Sequence, residues 1–148
     1  MTSPDWVLDT NVLISAALSR QGPPHALVQH LLAHARLVFS NETFEELRSR
    51  LYRPKFDRFI ALDMRERLLR DLSACARWVE IGPHPAWSRD PDDDKFIATA
   101  LQASAVLVSG DQDLLAANAP QGLRILSPAQ AWAEIQAAAG TPPKIARP

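Results

Sequence analysis

The chain reads as an α/β protein, a parallel sheet with helices on both faces. Three observations carry that reading. Short apolar runs of strand type alternate with helix-type patterns along the chain. Such runs twice deliver carboxylates at their carboxyl ends, at Asp9 and at Asp111. The 148 residues, 47% apolar and 22% charged, fit one globular unit with a sizeable core.

The first run, Trp6-Val7-Leu8, ends on Asp9, and a helix pattern follows almost at once and continues to Leu18. This is the opening of a βαβ unit. Ligands bind outside the carboxyl ends of strands in open α/β sheets, where Asp9 is expected to sit. Asp, Thr and Asn are also good helix caps, so this segment alone decides little. Gln21-Gly22-Pro23-Pro24 breaks the pattern, and proline suits the first turn of the next helix, about 25–35. His30 and His34 stand one turn apart with His25 off their face and no third ligand near. They read as surface histidines rather than a metal site.

Leu37-Val38-Phe39 is a second strand, and Ser40 or Asn41 caps a third helix with Phe44, Leu47 and Leu51 as its buried stripe. Glu46 on that helix can pair with Arg50 at i+4. Arg53-Pro54 ends the helix. Asp63-Met64-Arg65-Glu66 reads as a capping box for a helix to about Ala76, followed by a strand over 77–81. Gly82 to Pro91, with three prolines, is a rigid connection, and His84 within it has no sequence partner.

Next comes Asp90-Pro91-Asp92-Asp93-Asp94, four carboxylates in five residues, opening a helix over 95–102. One cap needs one Asp, and the surplus repels itself unless something positive neutralises it. Phe96, Ile97, Ala100, Leu101 and Ser104 define the inward stripe. Asp93 falls on its midline, Asp94 at its edge, and Lys95 points away. A strand over 106–109 then leads into Gly110-Asp111-Gln112-Asp113, where Asp113 can cap a short helix over 114–118. Leu123 to Leu126 is a fifth strand, Ser127-Pro128 starts a last helix to about Ala139, and 140–148 is expected to be a disordered tail.

Net charge is −1, which gives no whole-molecule case for nucleic acid, but the distribution is uneven. Arg48, Arg50, Arg53, Lys55, Arg58, Arg65, Arg67 and Arg70 are half of the 16 basic residues, offset locally by Asp57, Asp63 and Glu66. Such a stretch is an electrostatic footprint for phosphates, or simply the solvated faces of two helices. Cys75 is alone, so no disulfide framework is expected. No apolar run approaches a membrane span, and the opening residues lack the form of a signal peptide. A cytoplasmic location is the expectation.

In a parallel sheet Asp9, Asp93 and Asp111 converge on one edge, and Glu46 can reach the same place. Several carboxylates so close cannot all stay ionised without a cation or protons. Oxygen ligands suit a hard divalent ion such as Mg²⁺, which shares its shell with phosphate. The chemistry that fits is metal-assisted phosphodiester hydrolysis, with the basic helices holding the polyanion.

Four stretches carry a family resemblance: Val7 to Leu13, Glu45-Glu46-Leu47, Asp90 to Ala98, and Val108 to Leu114. In this order and spacing they resemble PIN-domain ribonucleases, closest to the VapC-related toxins of bacterial and archaeal toxin–antitoxin pairs. The resemblance runs over about 5–137. It implies a three-layer α/β/α PIN-like fold over 1–139 with a mostly parallel sheet of about five strands. It also implies Mg²⁺- or Mn²⁺-dependent RNA cleavage, a cognate antitoxin and a homodimer. Carried over by position, Asp9, Glu46, Asp93 and Asp111 are the catalytic metal ligands, with Asp94 and Asp113 as extra carboxylates. Asn11 and Ser109 match supporting polar positions. Arg48, Arg50, Arg53 and Lys55 are the RNA-binding candidates. A non-catalytic PIN-like binding module is the alternative, and its mark would be RNA binding indifferent to Mg²⁺. An aspartyl phosphatase built on Asp9 is less consistent, because a second Asp expected two residues on is Asn11.

Overall fold

The structure, a computed structural model, describes residues 4–117, 120 and 122–139. The elements run β1 (Asp5–Leu8), α1 (Thr10–Leu18), α2 (Pro23–His34), β2 (Arg36–Phe39), α3 (Asn41–Leu51), α4 (Leu62–Cys75) and β3 (Arg77–Trp78). They continue α5 (Asp94–Ala103), β4 (Val106–Val108), α6 (Gln112–Leu115), β5 (Ile125–Leu126) and α7 (Pro128–Ala139). Single 3₁₀ turns lie at Pro54–Phe56 and Pro91–Asp93. The strands form one parallel sheet in the order β3-β2-β1-β4-β5.

Alternation along β1 divides the apolar residues between the two faces. Trp6 and Leu8 join α1, α2, α3, α4 and α7 residues in a large core, including Leu13, Leu27, Leu31, Leu47, Leu72 and Ala131. Val7 points to the other face, with Val38, Leu107, Phe96, Ile97, Ala100 and Leu114. These two layers over a central sheet are the expected α/β/α arrangement. The chain runs from β1 outward to β2 on one side, and later returns to place β4 on the other. The junction between β1 and β4 is therefore a switch point, where ligand crevices form.

At the opposite end of the sheet Asp5 accepts from Arg36 at 3.0 Å and from Arg77 at 2.9 Å, tying the first three strands together. Burial works against its charge, but the two guanidiniums hold its carboxyl below the ordinary range.

Several expectations are corrected. The third strand spans only Arg77–Trp78 rather than 77–81, because the proline-rich segment that follows leaves the ladder. Helix α4 starts at Leu62, with Ala61 at the N-cap and no side-chain cap, so the Asp63–Glu66 box is not formed. Arg65 is not on a solvated face: it is 1% exposed, donates through Nε to the Ile60 carbonyl at 2.9 Å and pairs with Asp57 at 3.0 Å. His84 does find a neighbour, stacking on Trp87 with ring centroids 5.4 Å apart. The proposed tail lies outside the described residues.

Candidate metal-ion site

The site grows from the ends of β1 and β4. The Asp9 backbone N–H donates to the Val108 carbonyl at 2.9 Å, extending the ladder one residue past β1. That register places Asp9 beside Ser109, whose hydroxyl donates to Asp9 Oδ2 at 2.7 Å. Ser109 Oγ in turn accepts the Asp111 backbone N–H at 2.9 Å, and Asp111 Oδ1 accepts the Asp113 N–H at 2.8 Å. Asp111, not Asp113, is thus the cap of α6. The Ser109 hydroxyl thus joins the Asp9 carboxylate, 100 residues earlier in sequence, to the backbone of Asp111.

Asp93 arrives from the other direction. It ends the 3₁₀ turn that Asp90 caps through its side chain, and α5 begins at the next residue. Asp93 is 7% exposed and accepts from Ser88 Oγ at 3.4 Å. Asp94, one residue on, faces elsewhere. Its Oδ1 accepts the Trp87 and Ser88 N–H groups at 3.1 and 2.8 Å, fastening the incoming connection to the start of α5. One carboxylate of the cluster is therefore a loop anchor, another a turn cap, and a third enters the site.

Asp93, Asp111 and Asp113 each offer an oxygen such that the three atoms lie within 4.8 Å of one another. Among the described residues no other trio of His, Cys, Asp or Glu does so. Asp9 and Glu46 stand outside that trio. Glu46, half-buried on α3, has both oxygens engaged. Oε2 accepts from Thr10 Oγ1 at 2.6 Å, and Oε1 pairs with Lys95 Nζ at 2.7 Å and with Arg50 Nη2 at 3.5 Å. The Asn11 side chain does not reach Asp9; its Oδ1 accepts from Arg50 at 3.4 Å, while its backbone N–H favours the charged form of Asp9. Arg50 is thus already committed. Arg48 pairs with Glu45 at 3.3 Å, and Arg53 and Lys55 are exposed.

One feature escaped sequence reasoning. Lys95, expected to point away from the site, turns its long side chain across to α3. Asp113, expected as a cap or as an extra carboxylate, stands in the carboxylate trio.

The electrostatics follow from this crowding. Burial pushes the Asp93 carboxyl up to about 7, helped by the charges of Asp111, Asp90 and Asp9 and opposed by the Ser88 hydroxyl. Asp9 is also raised, by burial first and by Glu46, against the Ser109 hydroxyl, the Asn11 N–H and Arg50. Buried carboxylates that resist ionisation beside one another are a donor set waiting for positive charge. All donors are carboxylate oxygens, so the residues fit a hard divalent ion rather than zinc or copper.

Comparison with known proteins bears on the family and the fold. The PIN domain family matches residues 5–113 by its sequence profile. Uncharacterized protein MJ1680 of Methanocaldococcus jannaschii is 29% identical over 113 residues, which is 74% of this chain and 72% of that one. In fold the chain is similar to PAE2754 from Pyrobaculum aerophilum, with TM-score 0.58 and 16% identity over 90% of both chains. It is also similar to VapBC2 from Rickettsia felis bound to a DNA fragment from their promoter, at TM-score 0.56 and 11% identity over 83% of this chain and 98% of that one. FitAcB from Neisseria gonorrhoeae gives TM-score 0.55 and 22% identity over 83% and 97%. With a profile match from β1 through to Asp113 and the same layered fold, the chain belongs to the PIN domain family.

Proposed function

We propose that the protein is a Mg²⁺- or Mn²⁺-dependent endoribonuclease, the toxin of a toxin–antitoxin pair. The observation that carries the reading is the trio Asp93, Asp111 and Asp113, with oxygens within 4.8 Å and Asp9 tied in through Ser109. Asp93, Asp111 and Asp113 would hold the ion, Asp9 would add a further carboxylate beside them, and Glu46 would stand by with its charge met by Lys95 and Arg50. The chemistry that a divalent ion held by these residues would supply is activation of water and neutralisation of charge on the oxygens of a phosphodiester.

The chain's own residues prepare that step. Ser109 fixes the Asp9 carboxylate and, through the Asp111 N–H, fixes the turn that presents Asp111 and Asp113. Ser88 orients Asp93, whose carboxyl is pushed up to about 7 by burial and by its acidic neighbours. Exposed Arg48, Arg53 and Lys55 supply positive charge for the RNA backbone, whose phosphates dominate affinity. The antitoxin partner is supported by likeness to VapBC2 and FitAcB, a homodimer rests on the family resemblance of the sequence alone, and a cytoplasmic location rests on the sequence; no described helix is long and apolar enough to cross a membrane.

The test is RNA cleavage by the purified protein with Mg²⁺, with Mn²⁺ and with EDTA. Cleavage in either ion, abolished by EDTA and restored by excess ion, is the expected result. RNA binding unchanged by Mg²⁺, with no cleavage at any ion concentration, would instead mark a binding module.

A further inference from the structure

Glu46 differs from the other acids in being already neutralised. Its two oxygens are taken by a hydroxyl at 2.6 Å and an ammonium at 2.7 Å, with the Arg50 guanidinium at 3.5 Å. Its Lys95 partner is well shielded, with 22% of the side chain exposed against 11% for Glu46. Such a partly buried pair is screened far less than a surface one. Lys95 stands one helical step from Asp94 and two residues from Asp93, so α5 brings a carboxylate and a fixed cation into the same pocket.

The trio on the other side has no such partner. Among the described residues Asp93, Asp111 and Asp113 form no ion pair within 4.0 Å, and their recorded side-chain bonds come from Ser88 and from the Asp113 N–H. The pocket is therefore divided. One half needs a cation from solution, and the other carries its own.

We propose that Lys95 is a positioning residue that occupies the place of a second cation, so that the site takes one divalent ion, on Asp93, Asp111 and Asp113, with Glu46 held off the ion. The inference rests on the metal-dependent reading above. Lys95 acts on Glu46 rather than on substrate: it holds the α3 carboxylate against Thr10 and keeps it from pulling an ion away from the trio. Removing the ammonium strips Glu46 Oε1 of its nearer cation and leaves it only the Arg50 guanidinium at 3.5 Å, so that this oxygen opens towards a second ion beside the acids of the pocket.

The experiment counts Mn²⁺ bound to the full chain by electron paramagnetic resonance, without RNA. Wild type is expected to bind one ion per chain, and Lys95→Met a second one. The double variant Glu46→Gln/Lys95→Met removes the pair at no cost in net charge and is expected to bind one ion, within about threefold of wild-type affinity. Asp113→Asn, which removes a trio member, is expected to weaken binding about tenfold or more. Two ions on wild type, or a loss of about tenfold in the double variant, would overturn the role given to Lys95 while leaving a metal site in place. No Mn²⁺ bound to wild type would instead sink the metal-dependent reading itself. One ion on folded Lys95→Met would likewise overturn the proposal; should that variant fail to fold, Lys95→Gln, which keeps a polar side chain at the same place, is counted in its stead with the same expectation.

Discussion

At Asp93 burial and neighbouring charge are set against the ionised form, and this has a measurable cost. Its carboxyl titrates at about 7 in the folded chain, whereas an unfolded Asp titrates at about 3.9. Between those values the folded state holds more protons. The stability that Asp93 contributes is thus present in full below about pH 4 and is lost as pH rises through about 7. Asp9 works in the same direction. In EDTA, thermal unfolding should therefore show Asp93→Asn melting above wild type at pH 8 and close to it at pH 5. Equal differences at both pH values would contradict the titration assigned to Asp93. Its inward placement was legible from the helix stripe, since Asp93 falls in register with Ile97 and Ala100. The turn of Asp94 towards Trp87 and Ser88 was not, because it depends on where a proline-rich connection returns. The course of Lys95 was hidden for a related reason: helix geometry fixes a Cβ direction, while a four-carbon stem can cross to a neighbouring element.

Among the elements, α3 decides where Glu46 stands, and Ser40 decides where α3 starts. Ser40 Oγ accepts the Thr43 N–H at 3.3 Å, and Thr43 Oγ1 accepts the Ser40 N–H at 3.0 Å, a closed capping box. Ser40 Oγ also bonds Thr99 Oγ1 on α5 at 2.8 Å, so one buried hydroxyl joins the two helices that carry Glu46 and Lys95. Ser40→Ala should cost about 1–2 kcal/mol, typical of a lost cap. At this chain length, calorimetry should record that as a fall in Tm of roughly 3–6 °C. A fall under about 1 °C would mean that neither bond matters to stability. The Ser40 cap was readable from sequence because its signal is local. The Asp63 box offered a similar local signal and failed, as the N-cap of α4 is Ala61, two residues before Asp63, and Asp63 lies inside its first turn. Local capping patterns compete, and tertiary packing of Leu69 and Leu72 chooses between them.

For the molecule as a whole, the parallel sheet and its two helical layers were legible because strand and helix periods differ and the apolar residues obey both. Val7 and Val38 go to one face, and Trp6, Leu8 and Phe39 to the other. What a linear pattern does not contain is strand order. Placing β4 beside β1 brings Ser109 to Asp9, and the whole site follows from that adjacency. The basic run was only half legible. Arg65 is interior, held against Tyr52 with its Nη1 lacking a hydrogen-bond partner, and Arg50 serves Glu46 and Asn11, which leaves a smaller exposed set to meet phosphates.

The central claim is that acids distant in sequence form one ion-dependent catalytic pocket, and Asp9 is the member whose loss tests it most directly. Asparagine keeps the shape of Asp9 and can still accept the Ser109 hydroxyl, so Asp9→Asn should retain the wild-type circular dichroism spectrum. RNA cleavage in Mg²⁺ or Mn²⁺ by that variant should fall below detection beside wild type. Cleavage at the wild-type rate by folded Asp9→Asn protein would contradict the account.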